Sequence, residues 1–202
     1  SEGNEVARRL CARLGYRYFD KVLMAELGAE RGLSEEDLDG ASFEEYYTRG
    51  LLQRLLGSYP DPITNPSMWT RTAFQDVREA QSVAQVERLI LAAYELGDVV
   101  VMGRGGQVVL ADKPDVLHVR IVAPLETRIK RWQARDGSTE KEARRTARRR
   151  TRAHIDFVRR AFDVDLRDPE LYDLIVNTEK FKPAEAVDLI VRAMEYLPTS
   201  SE

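Results

Sequence analysis

The chain has 202 residues, 43% hydrophobic and 32% charged, which suits one soluble domain or one domain carrying a small inserted part. Lys+Arg 31 against Asp+Glu 34 gives a formal net charge of -3, so no global field draws it to nucleic acid or an anionic membrane, and any anion must be recognised locally. The lone cysteine, Cys11, excludes an intramolecular disulfide and fits a reducing cytoplasm. No apolar run approaches the roughly 20 residues of a membrane span, and Ser1–Asn4 lacks the pattern of a signal peptide.

In chain order, Val6 to Leu14 has helical spacing and ends at Gly15, a C-cap residue; Cys11 reads as a small core side chain there. Tyr16 to Asp20 is a short aromatic strand-type run. Residues 22–30 are helical in pattern, Ser34 is an N-cap before an acidic first turn, and 43–56 is helical again. A proline-rich loop over 57–66 follows, then a long helical pattern from Phe74 to Leu96, closed by Gly97. Asp98 to Gly103 predicts a strand buried on both faces. Residues 107–111 form a short helix or turn, and Val116 to Ala123 a second strand. Pro124 opens a helix that runs to Arg135, and Ser138 is the expected N-cap of the next. Leu174–Val176 is a third short strand, and Pro183 to Leu197 a last amphipathic helix. Strands alternating with helices predict βα units on a parallel sheet; the strandless stretch 138–168 interrupts them as a helical insertion.

Three features bear on chemistry. Gly103-Arg104-Gly105-Gly106 directly follows a buried strand, where the ligands of open α/β sheets bind; glycines admit a close ligand, and the arginine offers a fork to phosphate. The plainer reading is a tight turn with an exposed arginine. An arginine run follows at Arg144, Arg145, Arg148, Arg149, Arg150, Arg152, Arg159 and Arg160, partly balanced by Glu140, Glu142, Asp156, Asp163 and Asp165. Most of these arginines fit a solvated face; a minority could close over phosphates. The third feature is Ser1-Glu2-Gly3-Asn4-Glu5 entering a helix, an anion-compatible start that lacks the standard G-x-x-x-x-G-K-[ST] loop. His118 reads as a packed strand residue, His154 lies in the basic helix, and no spacing suggests a metal-ligand set.

Taken together, these segments resemble the cytidylate kinase-like family of phosphate-loop kinases. Gly3-Asn4-Glu5-Val6-Ala7 looks like the end of that family's phosphate loop. Leu14-Gly15-Tyr16-Arg17-Tyr18-Phe19-Asp20-Lys21 resembles its L-G-x-x-[FY]-[FY]-D-K segment, and Gly103-Arg104 its G-R turn. Ala123-Pro124-Leu125-Glu126-Thr127-Arg128 and Tyr172-Asp173-Leu174-Ile175-Val176-Asn177-Thr178 match its A-P-L-E-x-R and Y-D-L-x-x-N-T motifs. The resemblance implies a three-layer parallel sheet flanked by helices, a helical monophosphate-binding segment near 40–95 and an arginine-bearing lid near 138–165. It implies ATP and Mg2+ as cofactors and a nucleoside monophosphate, CMP or dCMP, as acceptor. Carried over, Gly3, Asn4 and Glu5 fall on the phosphate loop, with Asn177 and Thr178 near the base. Gly103, Arg104, Asp20 and Lys21 fall on the substrate side, and Arg149, Arg152 and Arg159 are the lid candidates beside catalytic Arg104.

The departures are Asn4 and Glu5, where a phosphate-loop kinase has lysine and Ser or Thr, and Met102 in place of an acid. The first strand and the front of the phosphate loop are expected upstream of Ser1. Three readings follow: an ATP-dependent monophosphate kinase, a non-catalytic nucleotide-binding domain with an eroded loop, and a basic-helix binder of nucleic acid. The acidic balance and the absence of interleaved aromatics argue against the last.

Overall fold

The computed structural model describes residues 2–19, 23, 26, 27 and 83–198. The chain divides into two units, one of residues 1–18 with 97–202 and one of residues 19–96. In the second unit, residues 83–96 are helical and bury Val86, Leu89, Ile90, Ala92 and Ala93. These fall at the spacing of one helical face. The sequence-predicted elements over 34–66, together with Asp20 and Lys21, lie outside the described residues.

The first unit begins with helix α1, Gly3–Leu14. Val6, Ala7 and Leu10 make its buried stripe, and Gly15 stops it in the left-handed conformation at φ 74. The chain turns directly into strand β1, Arg17–Tyr18, which pairs in parallel with β2, Val99–Val100. A short helix α2, Gly106–Val109, follows. Strand β3, Val119–Val122, pairs in parallel with β4, Leu174–Asn177, in the register Val119 to Leu174 and Val122 to Asn177. Between them run helices α3, Leu125–Asp136, and α4, Glu140–Phe162; helix α5, Pro183–Met194, comes last.

One core unites these pieces. Val6 and Leu10 of α1, Val176 of β4, and Ala186, Val187 and Ile190 of α5 are buried together. Val100 from one strand pair and Val119 and Ile121 from the other pack against the same cluster. Both parallel pairs therefore share one helical layer of α1 and α5, although they form two separate two-stranded ladders. The α/β expectation holds at that level.

Details differ from the sequence-based expectation. The run Asp98–Gly103 is hydrogen-bonded as a strand only at Val99–Val100, and both residues are half-buried rather than enclosed on two faces. The N-cap of α4 is Thr139 rather than Ser138. The reason is local. Thr139 Oγ1 accepts from Glu142 N–H at 3.4 Å, and the Glu142 carboxylate accepts from Thr139 N–H at 2.9 Å. A cap at Ser138 would put Lys141 in the reciprocal place, where no acceptor exists.

Helix α4 also has an apolar side that its arginine run obscures: Ala143, Ala147, Phe157 and Val158 are buried. Arg128 of α3 reaches it with Nη2, donating to Ala147 O at 3.0 Å and to Thr151 Oγ1 at 2.7 Å. Arg144 pairs with Glu126 of α3 at 2.7 Å, and both Arg135 and Arg150 stack over Trp132 at 4.8 and 4.7 Å. Arg144 and Arg150 of the arginine run thus help hold the two helices together.

Because α1 and α5 cover both ladders, a cavity in that layer should be costly. Ile190→Ala is expected to destabilise the fold by about 2–5 kcal/mol, read as a lowered urea midpoint at unchanged slope. A shift of only a few tenths of a kcal/mol would show that this layer is not the core.

Candidate functional site: an anion-receiving edge

Helix α1 fixes the direction of the strands. Its C-terminus passes through Gly15 to β1, and Arg17 N–H donates to Asp98 O at 2.8 Å, just before β2 begins. Its N-terminus lies beside the carboxyl end of β4, where Arg131 stands 3.1 Å from Glu2 and bonds Thr178. The strands run antiparallel to α1, so the carboxyl ends of β2, β3 and β4 all point to the edge where α1 starts. In open parallel sheets that edge is where ligands bind.

At the end of β2 the backbone makes an unusual turn. Gly103, Arg104 and Gly105 all have positive φ, at 73, 56 and 79°. Glycine enters this region freely, but arginine does so at a cost of order 1 kcal/mol or more, and such strain gathers at functional positions. Helix α4 packs on this turn. A Cβ on Gly105 would stand 2.1 Å from the Phe162 ring, so a larger residue is excluded there by contact as well as by conformation. His154 Nε2 comes within 4.0 Å of the corresponding point on Gly103. His154, Val158 and Phe162 are four residues apart, and this stripe of α4 is the one that faces the turn.

Burial, and to a smaller degree the charge of Arg120, holds the His154 imidazole below its ordinary range. Arg120 itself crosses from β3 to the segment after α4. Its Nη1 donates to Arg167 O at 3.0 Å, and its guanidinium lies over the Tyr172 ring at 5.4 Å. Arg167 in turn holds Asp165, whose carboxyl is lowered to about 2 by those hydrogen bonds. His118 is structural, as its strand position suggests: its backbone N–H donates to Asp173 at 2.7 Å and its ring Nε2 meets Leu110 O at 3.2 Å.

The second part of the edge is the corner of β4. Thr178 is 1% exposed, and both its N–H and its Oγ1 bond Val122 O, at 2.9 and 3.1 Å. Arg131 Nη1 donates to Thr178 Oγ1 at 3.1 Å and Nη2 to Thr178 O at 2.5 Å. Asn177 Oδ1 accepts from Glu179 N–H at 3.0 Å, closing the turn after the strand. Of the sequence-predicted residues, Gly3 and Thr178 are drawn to one corner, linked through Glu2 and Arg131. Gly3 is buried in the first turn of α1, while Asn4 and Glu5 are exposed and Glu5 pairs with Arg9 at 2.6 Å. Gly103 and Arg104 are half-buried at the other end of the edge. Arg149, Arg152 and Arg159 are exposed along α4, away from its His154–Phe162 stripe.

Sequence reasoning missed Arg131 and Arg120. A signal existed for the first: Arg128, Arg131 and Arg135 recur at helical spacing in the helix that leaves β3. Nothing local marked Arg120, whose role depends on the later Arg167 and Tyr172.

These features define a parallel α/β domain whose strand ends, α1 start and two positioned arginines form an edge suited to anionic ligands. The chain belongs to the cytidylate kinase-like family, whose model matches residues 1–180. It is 31% identical over 121 residues to the cytidylate kinase of Methanopyrus kandleri, covering 56% of this chain and 63% of that protein. It is 33% identical over 110 residues to the cytidylate kinase of Ignicoccus hospitalis, covering 54% and 63%. The matches thus span somewhat under two thirds of those relatives. A uronate isomerase of Corynebacterium glutamicum is 29% identical over 193 residues, covering 87% of this chain but only 36% of that protein. Among solved structures, an uncharacterized protein from Eubacterium ventriosum aligns with TM-score 0.62 at 19% identity, covering 96% of this chain and 92% of its own, a likeness of fold. Among the described residues, no helix is long and apolar enough to cross a membrane.

His154 makes the site's stability pH-dependent. Its folded pKa lies below the ordinary 6.5, so below that pH the unfolded chain binds a proton that the folded chain refuses. Its contribution is complete above 6.5 and is lost as pH falls toward the folded value. Urea midpoints measured from about pH 7.5 down to 5 should therefore fall more steeply in the native protein than in His154→Gln. Parallel profiles would remove His154 from the account.

Proposed function

We propose that this chain is a nucleotide kinase-like domain that transfers phosphate from ATP to a nucleoside monophosphate, CMP or dCMP in keeping with its family. The observation that carries the proposal is the left-handed Gly103-Arg104-Gly105 turn at the carboxyl end of β2, braced by His154 and Phe162. Strain at an arginine is retained where the arginine is needed, and a fork there suits a monophosphate. Phosphoryl transfer asks the protein mainly for positioning and charge neutralisation. In this reading Arg104 holds the acceptor phosphate, and first-turn N–H groups of α1 face the donor. Arg149, Arg152 and Arg159 screen the transferring group when the lid over 138–165 closes, and Asn177 and Thr178 border the base.

The finer architecture belongs to the same proposal. Val100 on β2 and Val119 and Ile121 on β3 pack on one helical layer, yet among the described residues no ladder joins β2 to β3. A further strand, outside residues 1–202, would fit between them and complete a three-layer sheet with a phosphate loop leading into α1. Among the described residues no three potential metal ligands cluster, Glu5 is paired with Arg9, and Glu2 lies against Arg131. An ion accompanying the nucleotide would rest on phosphate oxygens and water.

The single test is Arg104→Ala. Monophosphate affinity should fall by about 1.5–3 kcal/mol in titration calorimetry, with the melting temperature of the free protein little changed. Unchanged affinity would overturn the assignment.

A second reading, a nucleotide-binding domain without turnover, is favoured by two observations: the Glu2 carboxylate lies against Arg131 at the start of α1, and Asn4 rather than lysine follows in the first turn. Asn4→Lys discriminates. If the segment is a phosphate loop lacking its cation, the lysine should tighten ATP binding by several-fold and raise any turnover. If it is only a helix start, ATP binding stays as it was and stability drops by about 0.3–1 kcal/mol, because a cation is unfavourable there.

A further inference from the structure

The Glu2–Arg131 contact has features that a structural ion pair would not need. Glu2 occupies the N-cap position of α1, with φ -72 and ψ 33, yet its side chain makes no capping bond to the helix. An acid there ordinarily accepts from the N–H groups two or three residues on. Its carboxylate turns instead to Arg131, with Oε2 at 3.1 Å from Nη2. That oxygen is buried and has no hydrogen-bond partner, so the contact is close in distance but poorly aligned. Arg131, by contrast, is firmly placed, with two bonds to Thr178, itself pinned to Val122. A fixed guanidinium thus faces a part-exposed carboxylate whose nearer oxygen is buried and badly bonded, at the first turn of the helix.

We propose that Glu2 is an internal competitor for the nucleotide: its carboxylate occupies Arg131, and a phosphate group of the incoming nucleotide displaces it. The inference rests on the nucleotide-binding reading above. A phosphate brings more charge than a carboxylate and more acceptor oxygens. It can take Arg131 and the uncapped first-turn N–H groups of α1 together, which the Glu2 side chain does not do in this geometry. Displacement returns the Glu2 carboxylate to water and relieves the unbonded oxygen. The consequence is a site whose apparent affinity is lowered by its own chain.

The experiment uses the full-length protein and titrates Mg-ATP, and separately inorganic tripolyphosphate, into the native form, Glu2→Gln, Arg131→Ala and Asp188→Asn. The last removes one negative charge from the exposed side of α5 and controls for net charge. Glu2→Gln should bind both probes about five- to tenfold more tightly, the scale of releasing one partly exposed carboxylate–guanidinium contact. Asp188→Asn should match the native protein, and Arg131→Ala should bind more weakly than either. If the native protein binds ATP and Glu2→Gln binds it equally or less well, the competitor role is overturned while the nucleotide-binding reading stands. If equal tightening appears in Asp188→Asn, the effect is one of net charge and the competitor role again falls. If neither the native protein nor Glu2→Gln binds either probe, the nucleotide-binding reading falls, and this inference with it.

Discussion

The layer formed by α1 and α5 against both parallel strand pairs governs the rest of the molecule. Val6 and Leu10 lie one helical turn apart on α1, and Val187 and Ile190 make a matching stripe on α5; together they bury Val176 and receive Val100, Val119 and Ile121. Apolar burial of this kind is non-directional in itself. Direction comes from the short connection at Gly15, which forces α1 to run back against β1. Once α1 is antiparallel to the strands, its N-terminus and their carboxyl ends must meet on one edge.

On that edge the fold places charge by two different devices. Arg104 stands on a turn set by backbone conformation, between two left-handed glycines that His154 and Phe162 of α4 approach. Arg131 is held by hydrogen bonds to a buried threonine. The second device fixes a guanidinium directly, whereas the first fixes only the backbone that carries one. The arginines of α4 are different. Those that meet α3, such as Arg144 and Arg150, are engaged in ion pairing and ring stacking, while Arg149, Arg152 and Arg159 remain at the surface. Exposed ion pairs contribute little stability each.

Membership in the cytidylate kinase-like family agrees with this arrangement, and the departures at Asn4 and Met102 give it a particular character. In the function proposed above, a site without that lysine, whose Arg131 is met by the Glu2 carboxylate, would separate holding a nucleotide from transferring phosphate. Catalysis depends on charge stabilisation realised in the transition state, whereas binding can rest on backbone N–H groups and fixed arginines.

The amino-acid sequence by itself determined the alternation of helices and strands in the described region, the helix stop at Gly15, and the family, because periodicity, turn chemistry and short motifs are local properties. It also marked Arg104, since glycines on both sides of an arginine after an apolar run are visible without a structure. It misplaced the α4 cap by one residue, because the choice between Ser138 and Thr139 turns on which residue has an acid three positions later. It overstated the burial of Val99–Val100, because periodicity reports apolarity but not what covers it. Only the tertiary structure decided that Arg131 meets Thr178, 47 residues away, that Glu2 joins them, and that Phe162 closes over Gly105. Those contacts are made by strand order and helix packing, which bring distant segments together; no local pattern of residues encodes them.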